Sequence, residues 1–262
     1  MTDLPAGVAP APSEPAASEP APAAAPRRGA WLELVAYLVV GFGLFLLASF
    51  ALSRLFPQIT IVASTALYGA NFLCFAGTAY VLGVRRQHLT WADFGLKPFS
   101  ARHLLLALVL AAAVLPLRGA AAVAAEALTG RLSAGGLADV QRRLDIIAPA
   151  GPLPLNFALT LLGAGLLAPV AEELFFRGLI YGWFRSRFSV WPAVILSSTI
   201  FALGHIDSIG VVASSFILGL LLALIVERSR SLWLSILVHA ANNSLAVVLL
   251  YVALAVQGRG GL

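Results

Sequence analysis

The sequence predicts an all-α fold, a polytopic transmembrane helical bundle with about seven to eight spans. Three observations carry that expectation. Of 262 residues, 60% are hydrophobic and 11% charged, against about 45–50% and about 25% in soluble domains. With a mean hydropathy of +0.92, the apolar surface exceeds what one core of this length can hide, so lipid must solvate much of it. The apolar residues also come in runs of roughly 20, enough for a helix to cross about 30 Å of hydrocarbon. Finally, the runs are continuous, not alternating, which excludes a β-barrel.

Taken in order, residues 1–29 are Ala, Pro, Ser and Glu with almost no large apolar side chain. Such a segment cannot bury enough surface to offset its ordering entropy and reads as a disordered tail. It has no apolar core behind a basic start, so it does not read as a signal peptide. Spans are expected at 31–53, 59–84, 102–127, 154–186, 190–206, 209–227 and 231–256. Pro116 and Arg118 interrupt the third, and the fourth is unusually long. The stretch 128–153 holds Arg131, Asp139, Arg142, Arg143 and Asp145 and reads as a loop or interfacial helix. The expected organisation is a tail (1–29), N-terminal spans with a loop (30–152), a functional transmembrane core (153–256) and a short tail (257–262).

The net charge of +5 does not mark a nucleic-acid binder, because no basic patch interleaved with aromatics is present. Arg27, Arg28, Arg85, Arg86, Lys97, Arg102, Arg185, Arg187, Arg228 and Arg230 fall on one side of the expected topology. Arg54, Arg131, Arg142, Arg143 and Arg259 fall on the other. The bias places the N-terminus in the cytoplasm. Heavy use of Ala and Arg, with Lys only at Lys97, suggests a GC-rich bacterial genome and hence an inner membrane. Cys74 is the single cysteine; it excludes an internal disulfide and reads as a packing residue.

The charges inside the fourth span are the sharpest feature. Glu172, Glu173 and Arg177 lie within Ala171-Glu-Glu-Leu-Phe-Phe-Arg177. Each costs about 2.5–3.5 kcal/mol near the bilayer centre, while each Leu or Phe returns only about 0.5 kcal/mol. A Glu173–Arg177 pair at i,i+4 could be merely structural, but it leaves Glu172 unexplained. His205 ends the fifth span, and His239 and Asn243 share one face of the last. Counted from one side, Glu172 and His205 lie roughly 22 Å deep, and His239 and Asn243 roughly 12–18 Å. Overlapping depths are what a shared polar cavity requires.

Two carboxylates, two imidazoles, an amide and a guanidinium suit hydrolysis of an amide by water. Glu172 would be general base, with Glu173 and Arg177 as electrostatic support. His205 would share the water, and His239 with Asn243 would stabilise the oxyanion. Alternatively, Glu172, His205 and His239 could hold Zn²⁺ with an open position for water; with no His-Glu-x-x-His run, nothing local demands it. Ser197, Ser198, Ser208, Ser214, Ser215 and Ser235 lack the glycine context of a serine nucleophile. A proton-coupled transporter could also use Glu and His, but no internal repeat is visible.

Glu172-Glu173-x-x-x-Arg177, Phe201-x-x-x-His205 and His239-x-x-x-Asn243, in this order and each in a hydrophobic span, resemble the CPBP family. That family comprises CAAX prenyl endopeptidases and bacteriocin-processing (Abi) proteins. The resemblance covers about residues 153–250, and the loop Trp91-Ala-Asp-Phe-Gly-Leu-Lys97 is of a type found in such proteins. It implies an α-helical intramembrane endopeptidase, glutamate- or metal-dependent, acting near the cytosolic side. The partners would be membrane lipid and a peptide or protein substrate, membrane-anchored or not. Family members commonly have eight spans against the seven counted here. The competing reading is a non-catalytic membrane scaffold or bacteriocin immunity protein. Among other polar residues, Arg118 could pair with Glu126 two turns on only if the helix bends there, Asn71 suggests an interhelical hydrogen bond, and Asp207 a turn.

Overall fold

The computed structural model describes residues 30–96, 100–129, 144–149 and 153–257. The expected disordered tail 1–29, most of the loop 128–153 and residues 258–262 lie outside them. The described residues are helical, with no strand among them. The helices are α1 (Trp31–Leu55), α2 (Ile61–Arg86), α3 (Ala101–Leu128), α4 (Leu153–Arg185), α5 (Val190–Leu203), α6 (Ile209–Ser229) and α7 (Leu232–Val256). A helical turn occupies 144–147.

Six of these helices are long and apolar enough to cross a membrane, as an all-α polytopic bundle requires. The fifth expected span departs from the reading. α5 has only 14 residues, about 21 Å of helix against about 30 Å of hydrocarbon. It stops because Gly204-His-Ile-Asp207 leaves the helix as a turn. Conversely, Pro116 does not end α3, which runs unbroken through it. A proline costs the helix one backbone bond, a loss that neighbouring helices make tolerable in a bundle.

Helix starts follow the local chemistry. The Thr60, Ser208 and Ser231 side chains accept from Ala63, Val211 and Leu234 backbone N–H groups at the heads of α2, α6 and α7. Each satisfies one of the orphan donors of a first turn. Ser100 and His103 form a reciprocal capping box on α3. α6 stops at Arg230, whose φ of 53° is left-handed, and the chain turns directly into α7.

The burial pattern is that of a protein in lipid. Leu32, Leu46, Leu47, Phe50, Leu105 and Leu108 are exposed, whereas Glu172, Glu173, Arg177 and His239 are buried. The rings of Phe42, Phe75, Phe175, Phe176 and Phe201 join α1, α2, α4 and α5, with centroids 4.8–5.9 Å apart. Such contacts add about 0.5–1.5 kcal/mol per pair beyond area burial. They form a rigid layer beside the buried charges.

Polar and aromatic contacts gather several helix ends at one end of the bundle. Trp31 packs on Trp183 at 4.6 Å between centroids. Arg185 grips both carboxylate oxygens of Glu227, at 3.1 and 3.2 Å, and the Leu232 N–H donates to Gly95 O at 2.9 Å. These ties gather the start of α1, the loop after α2, the end of α4, the end of α6 and the start of α7 at one end. Arg185, Arg187, Arg228 and Arg230 lie at that end, and Arg85, Arg86 and Arg102 flank the same loop.

A candidate hydrolytic site between four helices

The site is built on α4, whose helical winding changes around it. A normal α-helical stretch, Ala168–Glu172, lies between π-helical stretches Leu161–Leu167 and Glu173–Tyr181. Such wide turns recur at functional positions because they re-aim side chains and loosen carbonyls. Adjacent residues on an α-helix point about 100° apart, so Glu172 and Glu173 face different neighbours.

Glu173 points into the core and is fully buried. Its Oε1 accepts from Arg177 Nη1 and His239 Nδ1, both at 2.9 Å, and its Oε2 from the Ser235 hydroxyl at 2.5 Å. Arg177 also donates to Gly219 O at 3.3 Å and lies 4.3 Å above the Phe201 ring. The expected Glu173–Arg177 pair therefore exists, as one edge of a larger network. With three donors on it, Glu173 is an anchor for other side chains, not a group facing open space.

Glu172 faces the other way. Its Oε1 accepts from Asn71 of α2 at 3.3 Å. Its Oε2 lies 3.9 Å from Nε2 of His205 and 3.8 Å from Nε2 of His239. Helices α4 and α7 and the turn after α5 thus bring together the trio that depth along each span suggested. His205 Nδ1 lies 2.8 Å from Phe201 O; a carbonyl only accepts, so this nitrogen carries the hydrogen. His239 Nδ1 likewise donates to Glu173. In the neutral rings both Nε2 atoms then hold lone pairs. Both Nε2 atoms face the Glu172 carboxylate oxygen at separations too long for a direct hydrogen bond. One water molecule satisfies such an arrangement, giving its hydrogens to two of the three.

The same trio was the expected Zn²⁺ set. Ligands 2.0–2.1 Å from a tetrahedral Zn²⁺ lie about 3.3 Å apart, and the two separations measured here are wider by about 0.5 Å. Among the described residues no group of three His, Cys, Asp or Glu side chains is arranged to hold a metal ion. The donors as placed do not fit a metal.

Asn243 is near but turned aside: its Nδ2 donates to Ala164 O at 3.2 Å, a carbonyl in the first π-helical stretch. It borders two cavities at once. One, of about 240 Å³, is lined by Glu172, His205, Asn71, Phe176 and Asp207. The other, about 600 Å³ and mostly apolar, is lined by Arg118, Leu115, Val211, Ser214 and Leu250. Ala164, Ile147 and Asn243 line both.

Ser235 and Asn71 are site residues that the motifs did not single out. The sequence presents Ser235 as a candidate nucleophile without the glycine context; its position one turn before His239 is the signal for its place here. Asn71 is the interhelical donor it was read to be, and its partner is Glu172. Arg118 bonds to Ser214 at 3.1 Å and to Asn242. Glu126, its expected partner, accepts instead from the Gly210 N–H at 2.8 Å.

The family model described as "Type II CAAX prenyl endopeptidase Rce1-like" matches residues 154–245. That segment contains Glu172, Glu173, Arg177, His205, His239 and Asn243, and the match bears out the resemblance read from the three motifs. An Escherichia coli protein described as "Uncharacterized 24.3 kDa protein" is 33% identical over 94 residues, 34% of this chain and 43% of that protein. The chain thus spans less than half the length of that relative. No solved structure matches it.

Proposed function

We propose that this chain, whose residues 154–245 match the Type II CAAX prenyl endopeptidase Rce1-like family model, is a CPBP-type intramembrane endopeptidase that uses a glutamate-activated water. One observation carries the reading: Glu172 Oε2, in a cavity wall, is faced by the Nε2 atoms of both His205 and His239 at 3.9 and 3.8 Å.

In the proposed reaction a water sits among these three atoms. Glu172 takes one of its protons while the oxygen attacks the carbonyl carbon of the scissile amide. The carbonyl π bond opens to an oxyanion, for which the second N–H of Asn243 is a donor. The tetrahedral intermediate then breaks its C–N bond, and Glu172 returns the proton to the departing amine. An acid and an amine are the products, and Glu172 is again a carboxylate. His205 and His239 orient the water. This moves His239 from the oxyanion side, because its N–H is committed to Glu173. Glu173 and Arg177 hold His239 in place and neutralise each other.

The basic end of the bundle is best read as cytoplasmic, by the bias of Arg toward that side, in a bacterial inner membrane. The substrate is a peptide or protein that reaches the site from the lipid or the nearby interface. The test is a purified, nanodisc-embedded chain incubated with a peptide library and read by mass spectrometry. Cleavage that disappears on replacing Glu172 supports the reading; cleavage that survives it removes the reading.

A further inference from the structure

Glu126 has no part in the site, yet it lies inside α3, a membrane-length helix. A carboxylate there costs up to about 3 kcal/mol, less near a helix end. Its Oε1 accepts from the Gly210 N–H at 2.8 Å, and its Oε2 is buried with no hydrogen-bond partner among the described residues. A side chain kept there with one oxygen unsatisfied needs a reason beyond solubility.

The contact falls on the first turn of α6. Ser208 already caps that turn by accepting from Val211 N–H at 3.2 Å; Glu126 adds a second hold from another helix. The approach is close. A Cβ on Gly210 would meet Glu126 Oε1 at 2.9 Å and Ala122 O at 3.0 Å, so glycine is what allows it. A carboxylate at a helix N-terminus is favoured by the helix dipole as well as by the hydrogen bond. Five residues earlier is His205, in the turn between α5 and α6. α5 stops at Leu203 and holds the His205 ring through Phe201 O at 2.8 Å, while the far end of the turn runs directly into the head of α6.

We propose that Glu126 is a positioning residue that acts through His205. By pinning the head of α6 to α3 it sets the turn that holds the His205 imidazole 3.9 Å from Glu172. Its kinetic consequence rests on the peptidase reading above; its structural consequence does not.

The test uses the full chain in nanodiscs, with Glu126→Ala and Glu126→Gln made alone and with His205→Ala. Gln keeps an oxygen acceptor toward Gly210. Glu126→Ala is expected to lower kcat about tenfold or more with KM within about twofold, and to cost at most about twofold once His205 is gone. Glu126→Gln should stay within about threefold of wild type. An equal loss in both backgrounds, or a Gln variant as slow as Ala, overturns the proposal. Independently, the ¹³C-labelled His205 ring resonance should move in Glu126→Ala and stay in Glu126→Gln. If wild type cleaves nothing, that shift still supports the positioning role while the peptidase reading fails. An unmoved resonance in Glu126→Ala overturns the role.

Discussion

His239 Nδ1 lies 2.9 Å from Glu173 Oε1, and both side chains are almost wholly buried. The bond ties α7 to α4 at the depth of the site and turns the other ring nitrogen of His239 toward Glu172. Two consecutive carboxylates therefore share one imidazole, one as its anchor and one as its neighbour across a gap.

Glu173→Ala should be strongly destabilising, because it strands a buried guanidinium and a buried N–H together. Breaking one side of a buried ion pair costs about 3–5 kcal/mol. Ser235→Ala removes only one of the donors to Glu173 and should cost about 1–3 kcal/mol while leaving peptide cleavage intact. Thermal unfolding in detergent measures the first two; an inactive but stable Ser235→Ala would return serine to contention as nucleophile.

Glu172→Gln nearly preserves shape and keeps an oxygen acceptor for Asn71. As loss of a general base it should reduce kcat by about 10²–10⁴-fold, with a melting temperature close to wild type. A variant that still cleaves at the wild-type rate would mean another group activates the water.

Chelators should leave cleavage unchanged. The Glu172 carboxylate oxygen stands 3.9 and 3.8 Å from the Nε2 atoms of His205 and His239, wider than ligands on one zinc ion. A loss of more than about tenfold with phenanthroline, restored by added Zn²⁺, would show that the trio closes on a metal.

Gly178 follows Arg177 directly and faces the loop after α2. A Cβ there would lie 2.3 Å from Phe94 Cδ1, so Gly178→Val overpacks the contact by about 1–3 kcal/mol. Phe94→Ala in the same chain should recover part of the loss, as judged by the unfolding midpoint. Additive losses instead would mean that the two residues do not press on one another.

The membrane character and nearly all the helices could be read from composition and run length, because apolar residues in lipid need no partner to be placed. Glu172, His205 and His239 could be read as one site for a related reason. Charge and hydrogen-bonding capacity inside a span are expensive enough to stand out, and depth along each helix brought the three to one level. The division of labour between Glu172 and Glu173 could not be read this way. The two are adjacent and chemically identical, and only packing decides that Glu173 meets Arg177, Ser235 and His239 while Glu172 meets a cavity. The short α5 was missed because the apolar run continues to Ile206 while the chain turns at Gly204 and His205 bonds back to Phe201 O. Asn71 and Glu126 show the same limit. Their types announced a hydrogen bond, but the identity of the partner, 101 residues away in one case and 84 in the other, belongs to the tertiary structure alone.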